Sequence, residues 1–193
     1  MKAAFVVFER MTSLDFVGFY DPVTRLKSMQ IIDDLEWRIC SPARHVVDDR
    51  GLRVEADAVG GSLDAYDMLF VPGGFGTRPL QRDADFLGWL RTARAVPLKL
   101  SVCTGALLLG AAGFLQGRRA TTHPAAYKEL EPYCREVVDQ RIVDEGSVVT
   151  AGGVSASIDL GLHVVQRLAG PEARERIARQ MDYPYGSVLH HQH

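Results

Sequence analysis

The chain has 193 residues, of which 47% are hydrophobic and 24% are charged. This length and composition fit one globular domain with a sizeable core, so we expect a single domain spanning residues 1–193. The formal net charge of −2 offers no basic surplus for nucleic acid or for an anionic membrane surface, and we expect neither as a partner.

The first half of the chain alternates short apolar runs with segments of helical spacing. In chain order it predicts a buried strand at 3–8, a helix over 14–29, a strand at 37–41, an edge strand over 53–59, a strand at 66–71 and a helix over 83–93. Pro22 falls inside the first helix, where we expect a kink or a restart because proline lacks the backbone N–H group.

The second half continues the same alternation. In chain order it predicts a buried strand at 98–102, a helix over 105–112, a short strand at 119–122, a helix over 125–130, paired strands at 141–144 and 147–151, and helices over 155–168 and 171–180. The helix over 105–112 has almost no polar residue, so it should lie inside the protein. The polar tail at 190–193 should be frayed. This alternation predicts an α/β fold whose largely parallel sheet is covered on both faces.

The cysteines and the N-terminus indicate the compartment. Cys40, Cys103 and Cys134 are widely spaced and odd in number, and the short apolar run at the N-terminus lacks the features of a signal peptide. We therefore expect free thiols in a reducing, cytoplasmic environment. No apolar stretch approaches the length of a membrane span. No Cys-x-x-Cys or His-x-x-x-His pair is present, so we expect no metal site.

Cys103 is the sharpest candidate for chemistry, because it falls between a predicted strand and a predicted helix. This arrangement is typical of a nucleophile elbow, which projects a reactive side chain into a cleft. The positive end of the following helix should stabilise a thiolate and lower the pKa of Cys103. The Thr104 N–H group would then point at an oxyanion on the substrate. A buried cysteine that packs as a small hydrophobic residue is the common alternative, which we prefer for Cys40 and Cys134.

Two further segments follow predicted strand ends, where open α/β sheets bind ligands. Gly73-Gly74 is either a simple turn or a place where the backbone approaches a ligand, and the Gly74 N–H could then be a second oxyanion donor. His123 could orient or deprotonate a group near Cys103. It could equally cap the helix that starts after Pro124, and taken alone this structural role is favoured.

Asp15 lies near the start of the first predicted helix. Thr12 would be the N-cap and Asp15 an acidic capping partner three residues on, and an acid in the first turn also suits the helix dipole. Spacing alone therefore gives Asp15 no catalytic role.

Five ordered motifs resemble the ThiJ/PfpI superfamily over almost the whole chain. They lie at residues 14–18 (LDFVG), 66–76 (YDMLFVPGGFG), 101–106 (SVCTGA), 119–124 (RATTHP) and 150–159 (TAGGVSASID). The resemblance implies a flavodoxin-like, class I glutamine amidotransferase-like three-layer sandwich with a mostly parallel sheet, usually assembled as a homodimer.

Within the superfamily, the Leu-Asp…Gly pattern, the Cys-Thr-Gly elbow and the Ala-Gly-Gly-Val segment look most like the isonitrile (isocyanide) hydratases. That resemblance implies Cys103 as nucleophile, Asp15 as acid/base and Thr104 as the neighbour lining the oxyanion site. It implies hydration of a small-molecule isonitrile to an N-substituted formamide, without a metal or an organic cofactor. Because a carboxylate beside a thiolate costs repulsion, Asp15 should rest protonated with a raised pKa or share its proton with the thiol.

Other branches of the superfamily match less well. The protease-like branch has histidine directly after the cysteine, where this chain has Thr104, and the glyoxalase and deglycase-like branch has glutamate in place of Asp15. The segment around His123 nevertheless looks like that second branch. The alternatives are therefore a glyoxalase- or deglycase-type enzyme acting on reactive dicarbonyls, and a non-enzymatic protein that senses redox stress by oxidation of Cys103.

Overall fold

The computed structural model describes residues 1–184, and a seven-stranded sheet forms its centre. The strands are β1 (Lys2–Val6), β2 (Glu36–Ser41), β3 (His45–Val47), β4 (Arg53–Glu55), β5 (Ala58–Val59), β6 (Met68–Val71), β7 (Leu98–Val102), β8 (Arg119–Ala120), β9 (Glu136–Val137), β10 (Ile142–Asp144) and β11 (Val148–Ala151). The sheet order is β10-β11-β7-β6-β1-β2-β5, and every pair is parallel except β10 with β11. The β3–β4 and β8–β9 pairs form two separate small sheets.

Helices cover both faces of the central sheet. They are α1 (Ser13–Ser28), α2 (Thr77–Leu80), α3 (Ala84–Arg91), α4 (Gly105–Ala111), α5 (Tyr127–Leu130) and α6 (Ala156–Gln180), with 3-10 turns at Thr92–Ala95, Pro124–Ala126 and Glu131–Tyr133. Helix α1 packs along α6, whereas α4 packs against α2 and α5. Every residue of β6, β7 and β11 is buried, as a sheet covered on both faces requires. The α/β fold with a mostly parallel sheet is confirmed, and so is the buried position of α4.

Pro22 does not divide the first helix, so the expected restart is wrong. Helix α1 runs through Pro22 as one helix of 16 residues. The Pro22 ring packs on α6 at Gly161, where a Cβ atom would lie 2.4 Å from Pro22 Cγ. We infer that this close packing between the two helices compensates for the hydrogen bond that proline cannot donate.

The predicted edge strand over 53–59 is also wrong in part, because the segment divides into two. Residues of β4 pair with β3 outside the central sheet, and only β5 lies at the sheet edge beside β2. Asp57 separates the two pieces, and its carboxylate accepts the Ile39 N–H at 2.9 Å. A side chain thus replaces a backbone partner at the edge, which local spacing does not reveal.

The remaining elements differ from prediction mainly at their ends. The predicted boundary between helices at 168 and 171 is confirmed, because Gly170 has a φ of +86° and interrupts α6 there. The strand predicted at 119–122 is shortened to β8, and the helix predicted over 125–130 is a 3-10 turn followed by α5.

Within residues 1–184 no helix is both long and apolar enough to cross a membrane. The tail prediction at 190–193 lies outside the described residues.

The parallel strands bring four loops to one edge of the sheet. Because β1, β6, β7 and β11 run in the same direction, the segments that follow them meet beyond their carboxyl ends. These are the Arg10–Thr12 loop, Gly73-Gly74, Cys103-Thr104 and Gly152-Gly153. This edge is the usual ligand-binding place in open α/β sheets.

Candidate active site

Cys103 occupies a strained turn between β7 and α4. Its φ is +54°, a left-handed conformation that costs a residue other than glycine about 1–2 kcal/mol. The surrounding backbone holds it there, because the Cys103 N–H donates to the carbonyls of Ala151 (3.1 Å) and Gly152 (2.8 Å). Its own carbonyl accepts a hydrogen bond from Thr122 Oγ1 at 2.7 Å. The strand–turn–helix geometry predicted for the elbow is therefore present.

Glycine lets the β6 loop reach the elbow. A Cβ atom on Gly73 would lie 2.8 Å from Cys103 Cβ and 2.7 Å from both Asp15 Oδ2 and the Thr104 nitrogen. A Cβ atom on Gly105 would lie 2.3 Å from the Val71 carbonyl oxygen. Contacts this short exclude any side chain, so both glycines are needed for the close approach of the β6 loop to the elbow.

Asp15 lies in the first turn of α1 and is completely buried. Its Oδ2 accepts the Gly73 N–H at 2.9 Å, and its Oδ1, also buried, has no hydrogen-bond partner among residues 1–184. Thr12 is the N-cap residue of α1, but its hydroxyl donates to Asp49 Oδ2 at 3.0 Å and does not cap the helix. Both residues of the capping pair considered above are thus diverted away from capping.

The thiol of Cys103 and the carboxyl of Asp15 face each other and perturb each other's protonation. The pKa of Asp15 is raised from 3.8 to about 7, mainly by burial. The Gly73 N–H and the Cys103 thiol lower this pKa, and the charge of Asp49 raises it. The expected raised pKa of Asp15 is therefore present. Within the described residues no hydrogen bond of ordinary geometry joins the two groups, which leaves Asp15 Oδ1 open.

The expected lowering of the Cys103 pKa is wrong. The thiol is 6% exposed, and burial first and the Asp15 charge second raise the pKa of Cys103 above its usual range. The Thr104 N–H opposes this increase in pKa but does not offset it. A helix of seven residues thus provides less stabilisation of a thiolate than burial removes.

Thr104 and Gly74 are hydrogen-bonded to each other. The Gly74 N–H donates to Thr104 Oγ1 at 3.0 Å, and Thr104 Oγ1 lies 3.2 Å from the Gly74 carbonyl, to which it can donate. The Gly74 amide is therefore engaged in this arrangement, and it would meet a substrate atom only after rotation of the Thr104 side chain. The Thr104 N–H, in contrast, is directed at the Cys103 sulfur.

His123 has the structural position considered above. Its Nδ1 accepts the Ala125 N–H at 3.2 Å and caps the short 3-10 turn, while the ring lies against Gly153. Among the described residues it forms no hydrogen bond with Cys103 or Asp15. The neighbouring Thr122 contacts the elbow instead.

The sequence placed Thr122 with His123 after a predicted strand end but assigned it no role, and it gave no indication of Asp49. Asp49 lies in a turn far along the chain from Asp15. Within residues 1–184 no group of three or more histidine, cysteine or acidic side chains is placed to hold a metal ion. The groups available for chemistry are thus a thiol and a carboxyl, both with raised pKa values, and one amide donor.

Known proteins resemble the chain over most of its length. The DJ-1/PfpI family model matches residues 1–167. The isonitrile hydratase of Pseudomonas putida is 36% identical over 185 residues, which are 95% of this chain and 78% of that protein. The HTH-type transcriptional regulator CdhR of Pseudomonas aeruginosa is 30% identical over 91% of this chain, which spans only 53% of the regulator.

A solved structure shows the same fold. The crystal structure of a ThiJ/PfpI family protein from Pseudomonas syringae matches with a TM-score of 0.86 at 28% identity, covering 95% of this chain and 75% of that one. The family model, the sequence relatives and this structure all match the part of the chain that contains the Cys103 elbow. The chain belongs to the DJ-1/PfpI family.

Proposed function

We propose that this protein hydrates an isonitrile to an N-substituted formamide, with Cys103 as nucleophile and Asp15 as acid and base. The observation that carries the proposal is the buried Asp15 carboxyl, which faces the Cys103 thiol with one oxygen unpartnered. The 36% identity to an isonitrile hydratase supports the same reaction.

The reactive form of the pair holds a single proton. A neutral thiol beside an Asp15 carboxylate and a thiolate beside a neutral Asp15 are two arrangements of that proton. In the second arrangement Cys103 attacks the terminal isonitrile carbon and forms a C–S bond. Asp15 donates its proton to the same carbon. The product of this step is a thioimidate, RN=CH–S–Cys103, and Asp15 is left as a carboxylate.

Water completes the reaction through the same carboxylate. The oxygen of a water molecule bonds to the thioimidate carbon while Asp15 removes a proton from that water. Asp15 then passes the proton to the nitrogen of the thioimidate. The resulting RNH–CH(OH)–S–Cys103 collapses: the C–S bond breaks, the hydroxyl proton goes to Asp15, and the formamide RNHCHO leaves. The pair regains its single proton, so the sum is one isonitrile and one water converted to one formamide.

Thr104 would stabilise the developing charge. Its N–H is directed at the Cys103 sulfur, where it can donate to the atoms bonded there. Rotation of its hydroxyl would release the Gly74 N–H as a second donor, which is the role we propose for Gly74. His123, which caps the 3-10 turn, would line the site without taking part in proton transfer.

The test is turnover of cyclohexyl isonitrile by purified protein, with the formamide measured by chromatography. We expect formamide from the parent protein and from Cys134→Ala, whose thiol lies outside the site. Cys103→Ala should form none, and Asp15→Asn should lose at least about a hundredfold in rate. Undiminished formamide formation by Cys103→Ala or by Asp15→Asn would overturn the mechanism.

The same samples address the alternative functions. Lactate from methylglyoxal without added glutathione, and no formamide, would favour the dicarbonyl enzyme. Ready oxidation of Cys103 to the sulfinate, with no turnover of either substrate, would favour the redox sensor.

A further inference from the structure

The turn between β3 and β4 places two carboxylates and a guanidinium beside the start of α1. Asp48 builds the turn itself: its Oδ1 accepts the N–H groups of Arg50 and Leu52 at 2.8 Å, and its Oδ2 accepts the Ser13 hydroxyl at 2.6 Å. Asp49 has different partners. Its Oδ2 accepts Thr12 Oγ1 at 3.0 Å, and its Oδ1 forms an ion pair with Arg50.

The Asp49 side chain is almost buried, although it pairs with an exposed arginine. It is 5% exposed and Arg50 is 73% exposed, while Asp48 in the same turn is buried as well. A buried carboxylate is unfavourable unless it is paired and hydrogen-bonded. The fold supplies the hydrogen bond from Thr12, the N-cap residue of α1, so the first turn of that helix lacks a side-chain cap within the described residues. Helix capping therefore does not explain this use of Thr12.

The backbone ties Asp49 to Asp15 through residues 11 and 12. The Asp49 N–H donates to the Met11 carbonyl at 2.9 Å, and the Asp15 N–H donates to the Thr12 carbonyl at 3.1 Å. The Thr12 N–H donates to the Gly73 carbonyl at 2.9 Å, and the Gly73 N–H returns to Asp15 Oδ2 at 2.9 Å. Residues 11 and 12 are thus hydrogen-bonded to both Asp49 and Asp15. The like charge of Asp49 contributes to the raised pKa of Asp15.

We propose that Asp49 is a positioning residue that adds to the larger effect of burial and strengthens the hold of Asp15 on its proton, and that Arg50 limits this influence by pairing with Asp49. An effect of Asp49 on turnover rests on the proposed function. Its effect on the protonation of Asp15 does not.

The other charged groups near Asp15 act differently. Cys103 faces it from the elbow. Asp48 is occupied by Ser13 and by the N–H groups of its own turn, and the Arg10 guanidinium lies 5.9 Å from the centre of the Phe75 ring. Asp48 is therefore the matched control for Asp49, since it is an acid in the same turn that is directed elsewhere.

The experiment follows the Asp15 carboxyl directly, by ¹³C NMR titration of full-length protein, in four variants. Asp49→Asn should move the Asp15 midpoint down by about 0.5 pH unit, because a like charge has been removed. Arg50→Gln should move it up by a smaller amount, because Asp49 then acts unpaired. The double variant should behave as Asp49→Asn does, and Asp48→Asn should leave the midpoint unchanged.

The opposite directions of the Asp15 shift in Asp49→Asn and Arg50→Gln distinguish an electrostatic effect on Asp15 from a purely structural role of the turn. Equal shifts in Asp48→Asn and Asp49→Asn, no shift in Asp49→Asn, or a downward or absent shift in Arg50→Gln would overturn the proposal. If Asp49→Asn does not fold, the exposed Arg50 still provides the test through its upward shift. The titration needs no substrate, so these outcomes are independent of isonitrile turnover. Where turnover is observed, the acidic limb of the kcat/KM profile should shift in the same directions.

Discussion

Cys40 and Cys103 are both buried thiols, and burial is the main cause of the raised pKa of each. Their backbones differ. Cys40 is part of β2, in register with Val6 of β1, whereas Cys103 follows β7 in a strained left-handed turn. Their partners differ as well. The Cys40 thiol lies 3.4 Å from the Tyr66 hydroxyl, and the Cys103 thiol faces the Asp15 carboxyl.

The partners of the two thiols differ in whether they can accept a proton near pH 7. The pKa of Tyr66 is raised by burial and by Cys40, so Tyr66 stays neutral near pH 7 and offers Cys40 no base. Asp15, with its pKa raised to about 7, can accept the Cys103 proton and return it in the range where enzymes work. Burial is common to both thiols. The titratable partner and the strained turn are what distinguish Cys103, the nucleophile that we propose.

The largest expected effect separates the two cysteines directly. Cys103→Ala should reduce isonitrile turnover at least about a thousandfold, because no other group can form the C–S bond. Cys40→Ala should keep turnover within about threefold, since it removes only a packed thiol distant from the elbow. Steady-state kinetics of both variants checks this. Equal losses in the two would remove the distinction.

The second effect concerns stability and compares Asp15 with Tyr66. The folded-state pKa of Asp15 lies above its unfolded value of 3.8, so the folded protein holds this proton more tightly. The contribution of this proton to the free energy of unfolding is complete below about pH 4 and is lost as the pH rises through about 7. Asp15→Asn, which cannot ionise, should therefore become more stable than the parent over this window, by up to about 4 kcal/mol at pH 8.

Urea unfolding at pH 4, 6 and 8 measures this difference. Tyr66→Phe should differ in stability from the parent by the same amount at all three pH values, because Tyr66 does not ionise in this range. An Asp15→Asn stability gain of the same size at pH 4 and pH 8 would show that Asp15 is not titrating as described.

The smallest effect is the pH dependence of the reaction. Below about pH 7 both members of the pair carry protons, so kcat/KM should fall about tenfold per pH unit and should level off above pH 7. Cys40→Ala should show the same profile. A profile without this acidic limb would contradict the assignment of Asp15 as the base.

The sequence predicted the elbow because its signal is local. A strand, Cys103, Thr104 and a helix follow one another without interruption, so spacing alone was sufficient. The alternation of strands and helices likewise predicted the α/β fold. The split at 53–59 was not visible, because it depends on the Asp57 side chain bonding to β2.

The environment of the elbow could not be predicted in the same way. The direction of the Cys103 pKa shift depends on how much water the fold excludes, and the helix rule that suggested a lowered pKa takes no account of burial. Asp15 was indicated by family resemblance, since its spacing fits a helix cap equally well. Asp49 reaches Thr12 only through tertiary structure, so no local pattern indicates it.

The covalent step at Cys103 can be observed most directly by rapid acid quench and mass spectrometry of peptides from protein mixed with excess cyclohexyl isonitrile. We expect an adduct equal in mass to one isonitrile on the Cys103 peptide, formed before the formamide and absent from the Cys40 and Cys134 peptides. Formamide released with no adduct at Cys103 at any time, or an adduct that forms only on another cysteine, would contradict the proposed mechanism.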